Sequence, residues 1–152
     1  MTEPSDLPGD LKDSFNGALG LITALPHAAE LGLEVLEAGT DHALMRAPYD
    51  PRLVGDPETG VIHGGLITTL LDTCCGLAAM LSHTRPASAA TLDLRIDYMR
   101  PATPGREVIA RARCHRATRS VAFVQATAYH PEAEDKPIAT ATAAFILEGA
   151  PS

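Results

Sequence analysis

The chain has 152 residues, a length typical of one domain, and its 45% hydrophobic and 20% charged residues are those of a folded globular protein rather than a disordered one. A net charge of −7, from 12 basic and 19 acidic residues, argues against a nucleic-acid-binding protein, because that class needs a basic surface. Three cysteines, two of them adjacent, form no recognisable disulfide framework and favour a protein of the reducing cytoplasm.

The amino-terminal part is predicted to contain a tail followed by a helix. Residues 1–9 are polar and include two prolines, so we expect a mobile tail. Their acidic character is unlike the positively charged start of a secretory signal, and no such signal is expected. Apolar residues at helical spacing predict a helix over residues 10–25, which Pro26 is expected to end.

A β-hairpin and a long loop are predicted next along the chain. Apolar residues alternate with others over 31–37 and again over 42–48, on either side of a Gly-Thr-Asp turn. Residues 49–60 then contain three clusters of turn-forming residues, which predicts a loop. Loops of this length in small domains are often functional.

Residues 65–82 are predicted to form a buried central helix. Apolar side chains cover most of its circumference, which is typical of a helix enclosed by other elements. The other side chains form one narrow stripe, which consists of Gly65, Thr68, Thr69, Asp72, Gly76 and Ala79. Its polar members make the segment a poor membrane span, so we expect a curved sheet to wrap the helix and no membrane association.

Four more strands are predicted after this helix. They cover residues 91–99, 107–115, 121–129 and 138–147. Because strands cluster here instead of alternating with helices, the pattern indicates an α+β domain with an antiparallel sheet.

The start of the central helix carries the clearest chemical signal. His63, Gly64 and Gly65 lead into it, and the free N–H groups of a helix start can polarise a carbonyl oxygen. Asp72 would be a costly buried carboxylate unless it has a partner or a chemical role. The helix rises about 12 Å from Gly64 to Asp72, too far for both to act on one carbonyl carbon. A catalytic Asp72 would therefore come from a second chain.

Other sites are not indicated. The sequence has no nucleotide-binding or serine-hydrolase motif and no cysteine–histidine cluster, so we expect neither a metal nor a cofactor. The adjacent cysteines, Cys74 and Cys75, are interpreted as small core residues.

Two segments, VIHGGLITTLLDTCCGLAA and TLDLRIDYMRPA, resemble the hotdog-fold acyl-CoA thioesterases of the phenylacetic-acid-degradation (PaaI-like) branch. The resemblance implies one hotdog domain over residues 1–152, with a long helix gripped by a five- or six-stranded antiparallel sheet. It also implies homodimers joined edge to edge, often paired into tetramers, with acyl-CoA sites between the two chains of a dimer.

The resemblance further implies roles for individual residues. Gly64, with Gly65, would supply the amide that binds the thioester oxygen, Asp72 would activate water or attack directly, and Thr91 would hold the water. His63 would hydrogen-bond near the carbonyl or shape the turn. Asp56 stands where the family often has an asparagine, and an ionised aspartate cannot donate the hydrogen bond that the asparagine makes.

Substrate-binding candidates complete the hypothesis. Cations near strand ends suit the phosphates of coenzyme A, and apolar or hydroxyl side chains of the helix would contact the rest of the substrate. The candidates are Arg100, Arg116, Arg119, Ser120, Leu66, Thr68, Thr69, Leu70 and Met80.

Alternatives stay open at this point. Asp72 could be a structural carboxylate hydrogen-bonded to Thr68, Thr69 or a cap. A solvated strand face could account for Arg111, Arg113, Arg116 and Arg119. The chain could also be a non-catalytic acyl-CoA-binding protein or, with less support, an acyl-thioester hydratase or dehydratase.

Overall fold

The computed structural model describes residues 8–149 and begins with two helices. Helix α1 spans Gly9–Thr23, close to the predicted 10–25, and turns its apolar side chains Phe15, Ala18 and Ile22 inward. Residues 1–7 of the expected tail lie outside the described residues, whereas Pro8 is the N-cap of α1 and Gly9 already belongs to that helix. Pro26 does not simply end this helix, because it begins a second one, α2 (Pro26–Glu30), at a position where its missing N–H costs nothing.

The predicted hairpin is present, and the predicted loop is more ordered than expected. Strands β1 (Glu34–Gly39) and β2 (His42–Ala47) pair antiparallel. Within residues 49–60, predicted as a loop, a single 3₁₀ turn at Pro51–Leu53 leads to the short strand β3 (Val54–Asp56). This strand pairs with β4 (Val61–Ile62), which follows directly after the predicted loop. Strands of two or three residues carry no readable alternation, so their sequence did not reveal them.

The central helix α3 spans Gly64–Met80, against the predicted 65–82. Leu70, Leu71, Cys74 and Cys75 are completely buried in it. The narrow stripe expected on this helix is present, and its residues are partly or fully exposed to solvent except for Ala79, which is fully buried. Within residues 8–149, no helix is both long and apolar enough to cross a lipid bilayer.

Six strands form one antiparallel sheet around α3, in the order β1-β2-β6-β7-β8-β5. The four strands that follow α3 are β5 (Ser88–Tyr98), β6 (Val108–Ala117), β7 (Val121–Tyr129) and β8 (Ala139–Glu148). This long helix wrapped by an antiparallel sheet is the predicted α+β hotdog arrangement. Strand β5 lies at an edge of the sheet and runs alongside α3, which makes it central to the site.

Alanines on the inner face of the sheet let α3 approach closely. One row across four strands consists of Ala43, Ala112, Ala126 and Ala141, which are paired neighbours in the register. Their small side chains leave room for the helix, and the Cys74 Sγ lies 3.5 Å from the Ala43 carbonyl oxygen. The burial of α3 therefore depends on small residues in the sheet as well as on the apolar helix.

Candidate active site

The start of α3 is capped by a side chain that the sequence singled out. His63 has an extended backbone at the N-cap position, and its Nδ1 accepts a hydrogen bond of 2.8 Å from the Gly65 N–H. In the neutral ring, Nε2 therefore carries the hydrogen and is left as a donor. A side chain at residue 65 would place its Cβ 2.8 Å from His63 Nδ1, so glycine is required there by the cap.

Gly64 presents the one N–H of this first turn that suits a ligand. Across residues 8–149, no backbone or side-chain acceptor receives a hydrogen bond from the Gly64 N–H, whereas the Gly65 and Leu66 amides donate to His63. Gly64 is an exposed residue, and its N–H carries part of the positive charge of the helix start. It can therefore hold an anion or a polarised carbonyl oxygen.

Tyr98, which sequence reasoning did not select, fixes this turn from the end of β5. Its hydroxyl donates to the Gly64 carbonyl oxygen at 2.9 Å and lies 2.5 Å from Thr68 Oγ1. A second unpredicted residue, Gly55 of β3, lets the small sheet close on the cap, because a Cβ there would lie 2.9 Å from the His63 Cα. Both contacts join residues far apart in sequence, which explains why no local pattern indicated them.

Asp72 lies two turns further along α3, where it meets Thr91 of β5. The Thr91 hydroxyl donates to Asp72 Oδ1 at 2.8 Å, so these two predicted residues are brought together within one chain. Asp72 is half-buried rather than buried, because it opens onto a groove beside the helix. Thr68 and Thr69 are not its partners: their hydroxyls donate to the carbonyl oxygens of Gly64 and Gly65.

The helix start and Asp72 face separate cavities within one chain. His63, Gly65, Leu66 and Thr69 line a cavity of about 400 Å³ beside the β3–β4 sheet. Asp72 and Thr91 instead line a groove of about 390 Å³ between α1 and α3. Within a single chain, the lining residues of the helix start and the Asp72–Thr91 pair therefore share no cavity.

Asp56 is engaged in its own turn. Its two carboxylate oxygens accept hydrogen bonds from the Glu58 N–H at 3.0 Å and the Thr59 hydroxyl at 2.7 Å. The Thr59 hydroxyl, helped by the Glu58 amide, lowers the pKa of Asp56, which favours the ionised form. Asp56 thus acts as an acceptor that shapes the turn, and it has no hydrogen to offer to a thioester oxygen.

The remaining candidates are spread over the molecule. Arg100 follows β5 at one end of the sheet, next to Ile138, while Arg116, Arg119 and Ser120 lie around the β6–β7 turn at the other end. The structure therefore does not bring the four together within a chain. Leu70, expected as a wall of the site, is wholly buried in the core and cannot contact a ligand, whereas Met80 lines the groove with Asp72.

The buried cysteines are not reactive groups of this site. Cys75 lies about one helical turn after Asp72. Burial, together with the charge of Asp72, raises the pKa of its thiol to about 12. Its thiol therefore stays protonated at neutral pH. Across the described part of the chain, no group of three or more His, Cys, Asp or Glu side chains is placed to hold a metal ion.

Comparison with solved structures supports the fold. A crystal structure of a Pseudomonas aeruginosa protein is 41% identical in sequence, has a TM-score of 0.78, and matches 87% of this chain and 97% of its own. The PaaI protein of the Escherichia coli phenylacetic acid degradation operon has a TM-score of 0.81 over 93% of this chain and 98% of its own. At 16% identity, this second likeness concerns the fold.

Sequence comparison adds the family. The medium/long-chain acyl-CoA thioesterase YigI of Escherichia coli is 28% identical over 136 residues, which cover 81% of this chain and 86% of YigI. A shorter match of 75 residues, 40% identical, covers 47% of this chain and 50% of a Halobacterium salinarum protein. The family model of the thioesterase superfamily matches residues 59–135, from the turn before α3 to the turn after β7. The chain therefore belongs to the thioesterase superfamily.

Proposed function

We propose that this chain hydrolyses the thioester bond of acyl-CoA at a site built by two copies of the chain. The observation that carries the proposal is the placement of two complementary groups on one helix: a free Gly64 N–H at its start, and the Asp72–Thr91 pair two turns later. The first group suits a carbonyl oxygen, and the second suits the activation of water. The acyl-CoA thioesterase YigI, a relative over most of its length, supports this substrate class.

The edge strand β5 supports a two-chain site. One side of β5 has no partner strand among the described residues, although the strand is 11 residues long. A long unpaired edge tends to pair with another chain, and Leu92 and Met99 are more than half exposed along or just beyond it. Two β5 strands paired antiparallel about a two-fold axis would satisfy both edges.

Such a pairing brings the two halves of the site together. Thr91 lies near the beginning of β5 and contacts Asp72, whereas Tyr98 lies at its end and contacts Gly64. An antiparallel two-fold pairing places the beginning of one β5 beside the end of the other. Asp72 of one chain then faces Gly64 of its partner, which overcomes the separation of about 12 Å within one helix.

The chemistry follows from the groups present. The Gly64 N–H polarises the thioester carbonyl, and the His63 Nε2–H is a further donor beside it. Asp72 of the partner chain either takes a proton from the water that attacks the carbonyl carbon, or attacks that carbon itself to form an anhydride that water then hydrolyses. In both routes the C–S bond breaks, and the thiolate of coenzyme A leaves and takes up the proton that the water gives up. Thr91 fixes the orientation of the carboxylate through its 2.8 Å hydrogen bond, which leaves the second oxygen for the reaction.

The binding of coenzyme A belongs to the same proposal. In the two-fold arrangement, Arg100 of one chain lies at the same end of the joined sheets as the Arg116–Ser120 segment of its partner. These exposed arginines suit the phosphates of coenzyme A, which arginine binds with paired hydrogen bonds. We further propose a cytoplasmic location, consistent with three unpaired cysteines, and the pairing of dimers into tetramers.

The test is release of free thiol from a panel of acyl-CoA molecules, from acetyl through long chains to phenylacetyl. The wild type is expected to turn over part of the panel, and Asp72→Asn, which keeps the shape of the side chain, is expected to lose nearly all of that activity. Full activity in Asp72→Asn would refute the role of Asp72. A folded wild type that binds acyl-CoA but hydrolyses no member of the panel would refute the proposed hydrolase activity and indicate a binding protein.

Gly64 allows an equally sharp test of the helix start. Gly64→Pro removes the N–H at the first helical position, where proline is well tolerated, and the extended backbone of His63 is compatible with a following proline. Gly64→Ala is the matched control, because it keeps the N–H and its Cβ would lie 3.8 Å from the Tyr98 ring, an ordinary contact. We expect activity in Gly64→Ala and a loss of roughly 100-fold or more in Gly64→Pro.

A further inference from the structure

The groove beside Asp72 continues well past the reacting groups. Its volume is about 390 Å³, and it runs between α1 and α3. The polar residues that line it are Asp72, Thr73, Ser88 and Thr91. All other lining residues are apolar or glycine, which include Leu21, Leu25, Gly76, Met80 and Phe145. The groove is thus a polar reaction centre joined to an apolar channel.

Two large apolar side chains, one in α1 and one directly after it, are open at this groove. Leu21 belongs to α1 and Leu25 is the N-cap of α2, and they are 43% and 46% exposed. Isolated exposed leucines need no explanation, but these two line one apolar surface together with Met80 and Leu77 of α3. Gly76 and Phe145 also line the groove, and they are packed closely enough that a Cβ at residue 76 would lie 3.3 Å from the Phe145 ring.

The dimensions of the groove fit a hydrocarbon chain of moderate length. Along α3, the lining runs from Asp72 to Met80, a rise of about 12 Å. An extended chain advances about 1.2 Å per bond, judged from the spacing of consecutive Cα atoms. The groove can therefore align roughly ten chain atoms beyond the carboxylate.

We propose that this groove binds the acyl chain of the substrate, and that Leu21 of α1 and Leu25, the N-cap of α2, set a preference for chains of roughly eight to ten carbons. The inference deepens the proposed function and rests on it, because the thioester carbon must lie at Asp72 for the acyl chain to enter here. The acyl chain is the expected occupant because Asp72 and the apolar residues line one continuous groove. When the thioester carbon lies at the Asp72 carboxylate, the acyl chain attached to it extends into the apolar part of the groove.

Binding measurements test the groove separately from catalysis. In an Asp72→Asn background, where substrate is not consumed, the dissociation constants of decanoyl-CoA and butyryl-CoA are compared. We expect decanoyl-CoA to bind roughly tenfold or more tightly, because it buries more methylene groups. Adding Leu25→Trp, which fills the groove, is expected to abolish this preference, and Leu25→Ala, which cannot clash, to reduce it by removing contacts.

Leu19→Trp is the matched control. Leu19 lies on α1, the helix of Leu21, and has a similar exposure of 41% but does not line the groove, so its replacement is expected to keep the preference for decanoyl-CoA. Equal affinities for the two acyl-CoA molecules in the Asp72→Asn protein would overturn the inference. So would an effect of Leu19→Trp as large as that of Leu25→Trp.

Turnover by chains with Asp72 intact is measured in parallel, so that the two proposals can fail separately. A chain-length preference in binding that depends on Leu25, without turnover of any acyl-CoA, would refute the proposed hydrolysis and leave the groove assignment standing. Turnover without any chain-length preference would refute the groove and leave the hydrolysis standing.

Discussion

The hydrogen bond between Thr91 and Asp72 is the residue-scale contact on which the proposed chemistry depends. The hydroxyl donates to one carboxylate oxygen at 2.8 Å, and no donor within residues 8–149 reaches the other. A carboxylate held by one oxygen keeps its second oxygen at a defined position, where it can accept a proton. Thr91 is thus a positioning residue, and its effect should appear in turnover more than in substrate binding.

Replacement of Thr91 tests this role. Thr91→Val keeps the shape of the side chain and removes the hydroxyl, so we expect kcat to fall roughly tenfold or more, the worth of one hydrogen bond to a charged group. Thr91→Ser keeps the hydroxyl and should retain most of kcat. The measurement is steady-state kinetics with one acyl-CoA, with KM compared alongside. An unchanged kcat in Thr91→Val would show that the hydrogen bond has no catalytic effect.

Cys75 gives a prediction about pH. Burial, with the charge of Asp72, raises the pKa of this thiol from 9.0 to about 12 in the folded state. The unfolded state therefore loses its proton first, and the stabilisation is complete below pH 9 and lost as pH rises toward 12. Between pH 8 and pH 10.5, we expect this group to lower the free energy of unfolding by about 2 kcal/mol.

Urea unfolding at the two pH values measures this effect. Cys75→Ala is the control, because it lacks the thiol and should lose less stability between pH 8 and pH 10.5 than the wild type. The same loss in both proteins would contradict the assignment of the effect to Cys75.

At the scale of elements, the start of α3 contributes to the stability of the helix and is also proposed to bind the thioester oxygen. The His63 ring accepts the Gly65 N–H and so leaves Gly64 as the free amide of the turn. Loss of an N-cap side chain costs about 1 kcal/mol, so His63→Ala should lower the free energy of unfolding by that amount. Asparagine is also a favourable N-cap residue, and His63→Asn should restore most of the stability.

Chemical denaturation of the three proteins separates the cap from any other role of His63. If His63→Ala and His63→Asn were equally destabilised, the imidazole would contribute by packing rather than as a cap. If His63→Asn regained stability but not activity, the Nε2–H of His63 would be assigned to the reaction.

Elements with a clear periodicity were predictable from the sequence, and contacts between them were not. The apolar wheel of α3 and the alternation in β6, β7 and β8 are local patterns, and the structure contains all four elements near the predicted bounds. The β3–β4 pair is too short to show a pattern, and Pro26 suits a helix start as well as a helix end. These features depend on contacts between elements, which a local sequence pattern does not show.

The residues of the candidate site were likewise predictable only where a local sequence signal identifies them. Asp72 and Gly64 could be selected by residue type and helix position, because a carboxylate and glycines are unusual at those places in an apolar segment. Tyr98 contacts Gly64 across 34 residues, and Leu25 lines the groove from the junction of α1 and α2, so no local signal identifies them. The family resemblance points to Asp56 as a substrate-binding residue, and its hydrogen bonds to Glu58 and Thr59 give it a structural role in its own turn.

For the whole molecule, the oligomer is proposed to be part of the active site. One chain places the Gly64 amide and the Asp72 carboxylate about two turns apart on α3, and the groove that Asp72 lines does not include Gly64. The unpaired edge of β5 runs past both groups, from Thr91 to Tyr98. Joining two such edges about a two-fold axis would complete two identical sites at once, each with Gly64 from one chain and Asp72 from the other.

Complementation between two inactive variants tests this arrangement most directly. Asp72→Asn and Gly64→Pro are produced separately and together, and thiol release is measured for each preparation. A mixed dimer would contain one site with both changes and one site with neither. Random pairing makes half of the dimers mixed, so we predict that co-produced chains regain about a quarter of wild-type activity, while each variant alone stays inactive. Co-produced chains that form mixed dimers but remain inactive would show that both groups of a site come from the same chain, and would contradict the two-chain site.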